Sequence, residues 1–508
     1  MRRVLAVHVA DDADKVGAST TSAPAMGFNR PAARAARILD SLQSMAGVGD
    51  LTLAAVAATP VALYVLASVH TYAYLRFLSQ CWPSHQASIA QSTFDDDCLD
   101  SRGALVPHTF APREISNAAR ARTDLLPAWK RMGLYATDTM TPIDATAWVA
   151  AHRAASLSIL ASVFLPRPAL KRAALPFVFF LCALLLFGRL LDAGGIAVTF
   201  LGFVILALTA GIATAAGPGT DLVSFLMRAG VLYTALFLGV GYALFAHVVL
   251  GPQLGMRALA LAIAVLARWA WSRWRARLAY DQERRAIKQR LNACGPSGEF
   301  DVVYCLCERP GHHAGPDSYG GYCLLNNAAL AVEATLARGF ARVALLDVDY
   351  HAGQGAPLVF KDRSGVLCVS VHARPDDEYP YFSGSPRDRR QGRALDFIFP
   401  PRASWDGYYA SALAPALRAI SRFKPTALVI AFGADTAKGD PEGAAYGCEL
   451  LEADFERMGR AIAEAVRVPT VVTQEGGYAL DAVGPAVAAF LRGLALAPPR
   501  LPNLPASA

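Results

Sequence analysis

Acidic and imidazole side chains follow two short apolar runs in the C-terminal half of the chain. RVALLDVD leads to Asp349 and His351, and TALVIAFGAD ends at Asp435. In Asp349-Tyr350-His351 the metal-binding residue types are two positions apart, so at a strand end their side chains point to the same side. Two carboxylates and one imidazole can bind a divalent cation and leave a position open for water and substrate, as catalytic zinc requires. The same ligand set accommodates iron(II) or another divalent metal, because oxygen ligands are harder than the commonest partners of zinc.

Side chains that can transfer protons follow two further runs. FDVVYCLC leads to His312 and His313, and PTVVTQEGGY ends at Tyr478. A bound divalent ion lowers the pKa of its water, and a neighbouring imidazole can take the water's proton and return it to a leaving amine. Tyr478 can donate its hydroxyl to the developing oxyanion, and Asp347 is placed to orient His312. Each piece alone is often structural, but the combination predicts a metal-dependent hydrolase.

The elements that must position these residues are short strands. After Pro296 five apolar, β-branched-rich runs alternate with helical stretches, which is typical of a parallel sheet with helices on both faces. The fifth run, GVLCVSVH, ends at Ser370 and His372. The carboxyl ends of parallel strands meet at one edge, so the five endings are expected to converge on one crevice. Five other histidines have no comparable setting and are predicted to be structural: His8, His70, His152, His247 and His372.

Composition indicates more than one structural unit. The chain has 508 residues, 54% apolar and only 18% charged, and is longer than one hydrophobic core usually organises. Nine cysteines without paired spacing favour a reducing compartment. The opening MRRVLAVHVADDADK has an apolar stretch too short for a secretory signal and is expected to begin a strand. Much of the net charge of +7 lies beside apolar segments, which favours anionic lipid over nucleic acid as a partner.

An apolar region interrupts the α/β pattern. Uncharged stretches of 16, 28 and 28 residues lie between Arg172 and Arg189, Asp192 and Asp221, and Arg228 and Arg257. A membrane-spanning helix needs about 20 apolar residues. We therefore predict an inserted all-α transmembrane unit over 163–295, with about four spans near 173–191, 196–216, 229–250 and 256–272. Basic residues flank both ends, which places the catalytic part in the cytoplasm, at the inner membrane of a bacterium. The alternative is a buried helical bundle.

The predicted catalytic domain is split by this insert. Its first part, 1–162, is predicted to contain a strand at VLAVHVA, a basic helix around Arg30 to Leu42 and a helix near Ile143 to Ala161. LTLAAVAATPVALYVLASV (51–69) is apolar, but Pro60 interrupts it, so a buried helix or strand pair is preferred over a span. The second part, 296–498, carries the metal site, and 499–508 is expected to be a flexible tail.

Several motifs resemble the histone deacetylase superfamily, particularly its acetylpolyamine amidohydrolases. They are ERPGHHA (308–314), GGYCLLNNAA (320–329), LLDVDYHAGQG (345–355), EYPYFSG (378–384), FGADTAKGDPEG (432–443) and QEGGY (474–478). Upstream, VHTYAYLRFL (69–78) and ATDTMTPIDATAWVAAHRAA (136–155) resemble the same family. The resemblance covers essentially 1–160 and 297–495. It implies an arginase/deacetylase-like α/β fold and zinc-dependent hydrolysis of an N-acetyl amide to acetate and a free amine.

The resemblance also implies roles for individual residues. Asp349, His351 and Asp435 match the zinc ligands, His312 and His313 the catalytic pair, and Tyr478 the oxyanion donor. His313 would be the principal acid and base. The other matches are Gly321, Tyr322 and Cys323 in the acyl-pocket wall, Asp138 as a rim carboxylate that holds substrate, and Ser370 near a structural potassium site.

Two departures from the family pattern bear on function. His351-Ala352-Gly353-Gln354 stands where the family has His-His-Gly followed by Asn or Asp, so a longer amide replaces the group that orients His313. Loss of such an orienting group typically costs about 10- to 100-fold, so a non-catalytic sensor of acetylated ligands is the alternative function. The other departure is the insert.

The expected substrate is a small acetylated amine. Glu442 stands where polyamine-selective relatives carry an acidic gatekeeper, and a carboxylate at the pocket mouth would attract a distant ammonium group. Acetyl-lysine is the alternative substrate, and a solvated loop glutamate is the alternative interpretation of Glu442. Membrane lipid is a predicted partner, nucleic acid is not expected, and an oligomer is compatible with the sequence.

Overall fold

The first structural unit comprises residues 1–166 and 286–508, and residues 167–285 form a second unit. The computed structural model describes residues 2–9, 31–45, 51–56, 60–90, 99–100, 103–107, 109–110, 126–166, 299–381, 383–385, 394–443 and 446–496. All of these belong to the first unit. The predicted transmembrane spans and the tail lie outside the described residues, and the predicted domain boundaries stay predictions.

Eight parallel strands form one sheet in the spatial order β2-β1-β3-β8-β7-β4-β5-β6. Their bounds are β1 (Val4–Val9), β2 (Leu51–Val56), β3 (Val302–Cys305), β4 (Val343–Asp347), β5 (Val366–His372), β6 (Ala394–Ile398), β7 (Ala427–Phe432) and β8 (Thr470–Gln474). The five strands predicted in the C-terminal half are buried at every position, which is why they read as continuous apolar runs. The predicted parallel α/β sheet is confirmed.

Helices connect the strands. They are α1 (Pro31–Met45), α2 (Leu63–Leu66), α3 (Tyr72–Ala90), α4 (Ala147–Phe164), α5 (Asn327–Ala337), α6 (Gly355–Phe360), α7 (Trp405–Tyr408), α8 (Ala414–Phe423), α9 (Glu452–Ala465) and α10 (Leu480–Leu496). A π-helical turn, Tyr409–Leu413, joins α7 to α8, and short 3-10 helices cover Ala128–Leu134 and Pro441–Gly443.

The two faces of the sheet have separate apolar layers. Val302 and Tyr304 of β3 belong to the core that α1, α8, α9 and α10 cover, where the Phe432 and Phe490 rings stack 4.1 Å apart. Cys305 points to the other face and donates to the Leu157 carbonyl of α4. Fully burying a side chain of this size contributes about 1.5–3 kcal/mol, so both layers contribute to holding the sheet.

Close packing fixes the helix that follows Tyr478. A Cβ atom on Gly459 of α9 would lie 2.2 Å from the Phe490 carbonyl oxygen, and one on Gly493 of α10 would lie 2.1 Å from that of Glu456. Only glycine allows the two helix backbones to approach this closely. The C-terminal half of α10 is therefore packed tightly against α9.

Most N-terminal predictions agree with the structure. The strand at VLAVHVA is β1, but 51–69 contains one partly buried strand, β2, and one short helix, α2, instead of the expected buried helix or strand pair. The helix expected near Ile143 begins at Ala147, because the Asp144 carboxylate accepts from the Thr146 backbone N–H and forms a turn first. Within the part of the chain that is described, α4 alone is long and apolar enough to cross a membrane, and 78% of it is buried in the fold.

Candidate metal centre and active site

Four neighbouring strands deliver the predicted site residues to one edge of the sheet. β3, β8, β7 and β4 lie side by side in that order. The His pair follows β3, Tyr478 follows β8, Asp435 follows β7, and Asp349 and His351 follow β4. Because all these strands are parallel, their carboxyl ends face the same side. The structure shows the predicted convergence for four of the five strand endings.

Asp349, His351 and Asp435 form a compact group, the metal triad. One ligand atom from each lies within 4.8 Å of the other two. His351 Nδ1 is 3.4 Å from Asp349 Oδ1 and 3.4 Å from Asp435 Oδ2. Ligand atoms about 2.1 Å from a tetrahedral zinc ion lie about 3.4 Å apart, so these separations fit one ion of that size.

The triad concentrates negative charge in a buried place. Burial and the neighbouring Asp349 raise the pKa of Asp435 to about 8, and Asp435 Oδ2 is buried without a hydrogen bond. Buried carboxylates are costly unless a cation or hydrogen bonds compensate them. A free buried oxygen and an aligned imidazole therefore indicate a site built for a divalent cation.

Glycines give the triad its space. A Cβ atom on Gly433 or on Gly476 would lie 2.1 Å from a carboxylate oxygen of Asp349 or Asp435, respectively. The Gly476 backbone N–H donates to Asp349 Oδ2 at 2.7 Å, and the His351 N–H donates to Asp349 Oδ1 at 2.9 Å. The Asp349 carboxylate is thus oriented by two amides before any ion binds.

His312 is held by an acid behind it, as predicted. Its Nδ1 lies 3.0 Å from Asp347 Oδ2, at the end of β4. Burial opposes a charge on the ring, but the Asp349 and Asp347 carboxylates outweigh it and raise the pKa of His312 to about 10. The two carboxylates thus favour the protonated imidazole of His312 in the metal-free site.

His313 has a different environment. Its Nδ1 lies 2.7 Å from Gln354 Oε1, so a neutral amide accepts the Nδ1 proton and leaves Nε2 as the basic atom. Burial, together with positive charge at His312 and His351, holds the pKa of His313 well below its usual value. The two rings, with centres 3.9 Å apart and planes tilted by 41°, thus have opposite proton preferences, which suits one as acid and the other as base.

Tyr478 lies in the loop that follows β8. Its backbone N–H donates to Asp440 Oδ2 at 2.7 Å, and the buried Arg34 guanidinium lies 5.5 Å from its ring centre. Burial raises the pKa of the Tyr478 phenol well above its usual value, although the Arg34 charge opposes this. Its hydroxyl therefore stays protonated and able to donate.

A buried carboxylate supports the His-pair loop. Glu475 Oε2 accepts from the backbone N–H groups of Gly311 at 2.5 Å and His312 at 3.1 Å, and Oε1 accepts from the Thr473 hydroxyl at 2.9 Å. Arg34 donates to the backbone carbonyl of Glu475 at 2.7 Å. The loops that carry His312 and Tyr478 are therefore tied together behind the site.

The predicted wall of the acyl pocket lies against His313. Gly321 has a φ of +53°, and a Cβ atom there would lie 2.2 Å from His313 Cδ2, so only glycine fits. Tyr322 adopts a φ of +66° and packs its ring edge-on to Tyr478, with centres 5.8 Å apart. The Cys323 thiol is buried and donates to the Gly321 carbonyl. All three predicted wall residues are at the site.

The Asp138 carboxylate accepts hydrogen bonds from other groups of the protein. Its Oδ2 accepts from the Gly321 N–H at 2.6 Å and the Tyr379 hydroxyl at 3.1 Å. Its Oδ1 accepts from the N–H groups of Met140 and Thr141. This carboxylate therefore has a structural role, because it fixes the Gly321 loop, in addition to the predicted role of binding substrate.

Glu442 lies close to the pocket wall. The Tyr322 hydroxyl donates to Glu442 Oε1 at 2.7 Å, and Glu442 is half-buried in the short 3-10 helix Pro441–Gly443. Tyr379, also half-buried, packs its ring edge-on to His313 with centres 4.7 Å apart. We call Asp138, Tyr322, Tyr379 and Glu442 the rim.

Ser370 and His372 lie on β5, the neighbour of β4, and are not part of the triad. Ser370 pairs with Asp347 across β4 and β5, and its hydroxyl bonds His372 Nδ1 at 2.8 Å. A potassium ion near Ser370 stays a prediction. The His372 Nε2 atom bonds the Gly384 carbonyl, and burial lowers the pKa of His372 to about 4, in keeping with its predicted structural role.

Sequence reasoning did not identify four supporting residues: Arg34, Tyr379, Asp440 and Glu475. Tyr379, Asp440 and Glu475 lie inside motifs that were recognised, EYPYFSG, GDPEG and QEGGY, so the motifs were the available signal. Arg34 has no local signal, because its hydrogen-bond partner Glu475 lies 441 positions away.

Comparisons with known proteins agree with this geometry. Residues 274–494, less than half of the chain, match the sequence model of the histone deacetylase domain. Acetylpolyamine amidohydrolase 2 of Pseudomonas aeruginosa is 43% identical over 185 residues, covering 36% of this chain and 53% of the relative. An acetylpolyamine amidohydrolase of Burkholderia pseudomallei is 40% identical over 195 residues, covering 38% and 56%. The chain thus spans about half the length of the curated relatives it matches.

A solved structure shares the fold. A crystal structure of the acetylpolyamine aminohydrolase from Burkholderia pseudomallei superposes with a TM-score of 0.58 and 21% identity, covering 97% of this chain and 99% of that one. The likeness shows the fold. The domain match and the sequence relatives are similarities to hydrolases of the deacetylase type.

Proposed function

We propose that this chain is a zinc-dependent deacetylase that hydrolyses the N-acetyl amide of a small acetylated amine to acetate and the free amine. The observation that carries the proposal is the metal triad beside two histidines of opposite proton preference, with Tyr478 at the next strand end. A hydrolase needs these three functions together: a polarising ion, a base with an acid, and an oxyanion donor.

Asp349, His351 and Asp435 would hold the metal ion, which when bound polarises the amide carbonyl and lowers the pKa of a bound water. His313 accepts the water's proton at Nε2, since Gln354 occupies the Nδ1 proton. Tyr478 donates its hydroxyl to the oxyanion, and the protonated His312 adds positive charge nearby. The proton then passes to the leaving amine.

An acetylated polyamine is the proposed substrate class. Glu442 contributes a carboxylate beside the aromatic rings of Tyr322 and Tyr478. An acetylpolyamine carries a second ammonium group some distance from the amide, and a carboxylate near the pocket mouth attracts it. The names of the similar relatives agree with this substrate class.

Acetate release by the purified chain tests the activity. The protein is stripped of metal, reloaded with zinc or iron(II), and assayed with N-acetylated diamines, an acetyl-lysine peptide and a neutral N-acetylalkylamine. We expect turnover of acetylated diamines that depends on metal and is lost in His313→Ala. Tight binding of acetylated diamines without turnover would instead support the sensor alternative, and neither binding nor turnover would disprove both.

We further propose that the chain is anchored in a bacterial inner membrane with its catalytic part in the cytoplasm. The support is the length of the uncharged stretches within 163–295 and the basic residues that flank them. Membrane fractionation of the full chain, with cysteine labelling from either side of the membrane, tests this. Extraction by carbonate or high salt alone, without detergent, would contradict it.

A further inference from the structure

The turn that carries Glu442 is bonded directly to the loop that carries Tyr478. Asp440, 4% exposed, provides the link. Its Oδ2 accepts from the backbone N–H groups of Tyr478 at 2.7 Å and Ala479 at 2.8 Å, and its Oδ1 accepts from the Glu442 N–H at 3.1 Å. One buried carboxylate thus binds three amides from two segments.

The Tyr478 loop needs such a link. It leaves β8 through Gly476 and Gly477, and Gly477 has a φ of +113°. Two consecutive glycines restrict the backbone little, so the loop has little local preference for one conformation. Tyr478 and Ala479 lie between this glycine pair and the first residue of α10. Hydrogen bonds to an ionised acceptor are about twice as strong as neutral ones, so the Asp440 carboxylate is well suited to fix the loop.

A second set of contacts, through Tyr322, joins the same two segments. The Tyr322 hydroxyl binds the Glu442 carboxylate, and the Tyr322 ring packs against the Tyr478 ring. Glu442 and Tyr478 are therefore connected twice, once through backbone amides at Asp440 and once through side chains at Tyr322. A movement of the Glu442 turn would therefore be transmitted to the Tyr478 backbone and ring.

We propose that Asp440 is a positioning residue: by accepting from the backbone amides of Tyr478 and Ala479, it holds the oxyanion-donating Tyr478 in place beside the Glu442 turn. The proposal rests on the proposed function. In Asp440→Asn an amide NH₂ group replaces one acceptor oxygen and the charge is lost, so at least one of the three backbone N–H groups loses its partner.

Steady-state kinetics with an acetylated diamine tests the kinetic consequence. We expect Asp440→Asn to lower kcat by about 10- to 100-fold and to change KM by less than about 3-fold, because losses of this kind act on the transition state. In the Tyr478→Phe background, Asp440→Asn should cause little further loss, since the hydroxyl that it positions is gone. Additive losses would overturn the proposal and show that the Asp440 charge acts elsewhere, for instance on Asp435.

A structural readout separates this proposal from the deacetylase proposal. 3-Fluorotyrosine placed at position 478 reports the ring by ¹⁹F NMR, with or without metal. We expect one sharp resonance in the unaltered chain and a shifted or broadened one in Asp440→Asn. An unchanged ¹⁹F spectrum would overturn the positioning role, whereas a changed spectrum in a chain that hydrolyses no acetylated amine would leave it standing and contradict only the activity.

Asp454→Asn is the matched control. Asp454 is also buried and its carboxylate accepts from a backbone N–H, that of Leu451 at 3.0 Å, but it caps α9. It should leave kcat and the ¹⁹F resonance unchanged. If Asp440→Asn is too unstable to purify, Asp440→Glu keeps the charge and lengthens the side chain by one methylene; the same loss of kcat and the same spectral change are expected, and wild-type behaviour would overturn the proposal.

Discussion

The metal triad and the rim lie at the same edge of the sheet, but different contacts hold them in place. Asp349, His351 and Asp435 are buried and follow the central strands β4 and β7, whose ladder sets their positions. The rim residues Asp138 and Glu442 lie in loops and are half-buried, and side-chain hydrogen bonds set their positions. The comparison teaches that the triad's geometry depends on the sheet, whereas the rim's geometry depends on loop contacts that can vary independently.

Removing a triad ligand should have the largest effect. Asp435→Ala leaves two ligands and is expected to abolish zinc retention and lower deacetylation by at least about 1,000-fold, because the ion supplies both polarisation and the nucleophile. Metal content by mass spectrometry and acetate release measure this. Asp406→Ala, an exposed acidic residue in the first turn of α7, is the control. Full activity of metal-free Asp435→Ala would disprove the metal site.

Acidification should destabilise the folded protein at the loop between Gly315 and Asn326. His70 Nδ1 bonds the Gly315 carbonyl and its Nε2 accepts from the Asn326 N–H, so a neutral imidazole ties the two ends of the loop that holds Gly321 and Tyr322. Burial lowers the pKa of His70 to about 4. The unfolded chain takes up this proton near pH 6.5 and the folded one only near pH 4, so stability falls between those values.

The expected loss between pH 6.5 and 4 amounts to about 3 kcal/mol, from about 1.4 kcal/mol per pKa unit. Urea unfolding at several pH values measures it. His70→Gln, which has no titrating group, should remove this part of the pH dependence. If both proteins lose the same stability on acidification, His70 is not the group responsible.

Loss of the Gln354 acceptor should have an intermediate effect. Gln354→Met has similar volume but cannot accept the His313 Nδ1 proton, so we expect kcat to fall by about 10- to 100-fold with metal content unchanged. Gln354→Glu keeps an acceptor at that position and should retain more activity than the methionine variant. Equal losses in both variants would show that Gln354 contributes through packing rather than through the hydrogen bond.

Removing the charge of Glu442 should have the smallest effect on the rate of deacetylation and the clearest effect on the choice of substrate. Glu442→Gln is expected to reduce the preference for an acetylated diamine over a neutral N-acetylalkylamine by about 3- to 10-fold, since one attractive charge at a partly exposed site is removed. Ratios of kcat/KM for the two substrates measure this. Glu449→Gln, whose carboxylate pairs with Arg402 and Lys438, is the control. An unchanged ratio would remove Glu442 from substrate choice.

Gln354 shows how the structure changes a sequence-based interpretation. Its place in the motif suggested a weakened orientation of His313, because a longer amide replaces the family's shorter group. The structure shows the Gln354 oxygen 2.7 Å from His313 Nδ1, so the longer side chain still reaches the ring. This contact favours the catalytic hypothesis over the sensor hypothesis.

The sequence alone was sufficient to predict the parallel sheet, five of its six C-terminal strands and the grouping of the triad with His312, His313 and Tyr478. The missed strand, β6, is only partly buried and is not a continuous apolar run. Buried parallel strands are continuous apolar runs, and residues directly after them must share one edge. These are local patterns that do not depend on distant contacts.

Only the tertiary structure revealed what fixes those residues. Asp138 serves the Gly321 loop, Asp440 binds the Tyr478 loop, and Arg34 ties the Tyr478 loop to the segment before the His pair. Each contact joins side chains and amides that are far apart in the sequence, and hydrogen bonding of this kind has no periodicity. The residue types of the site were therefore readable from the chain, but the network that positions them became visible only when the segments were packed together.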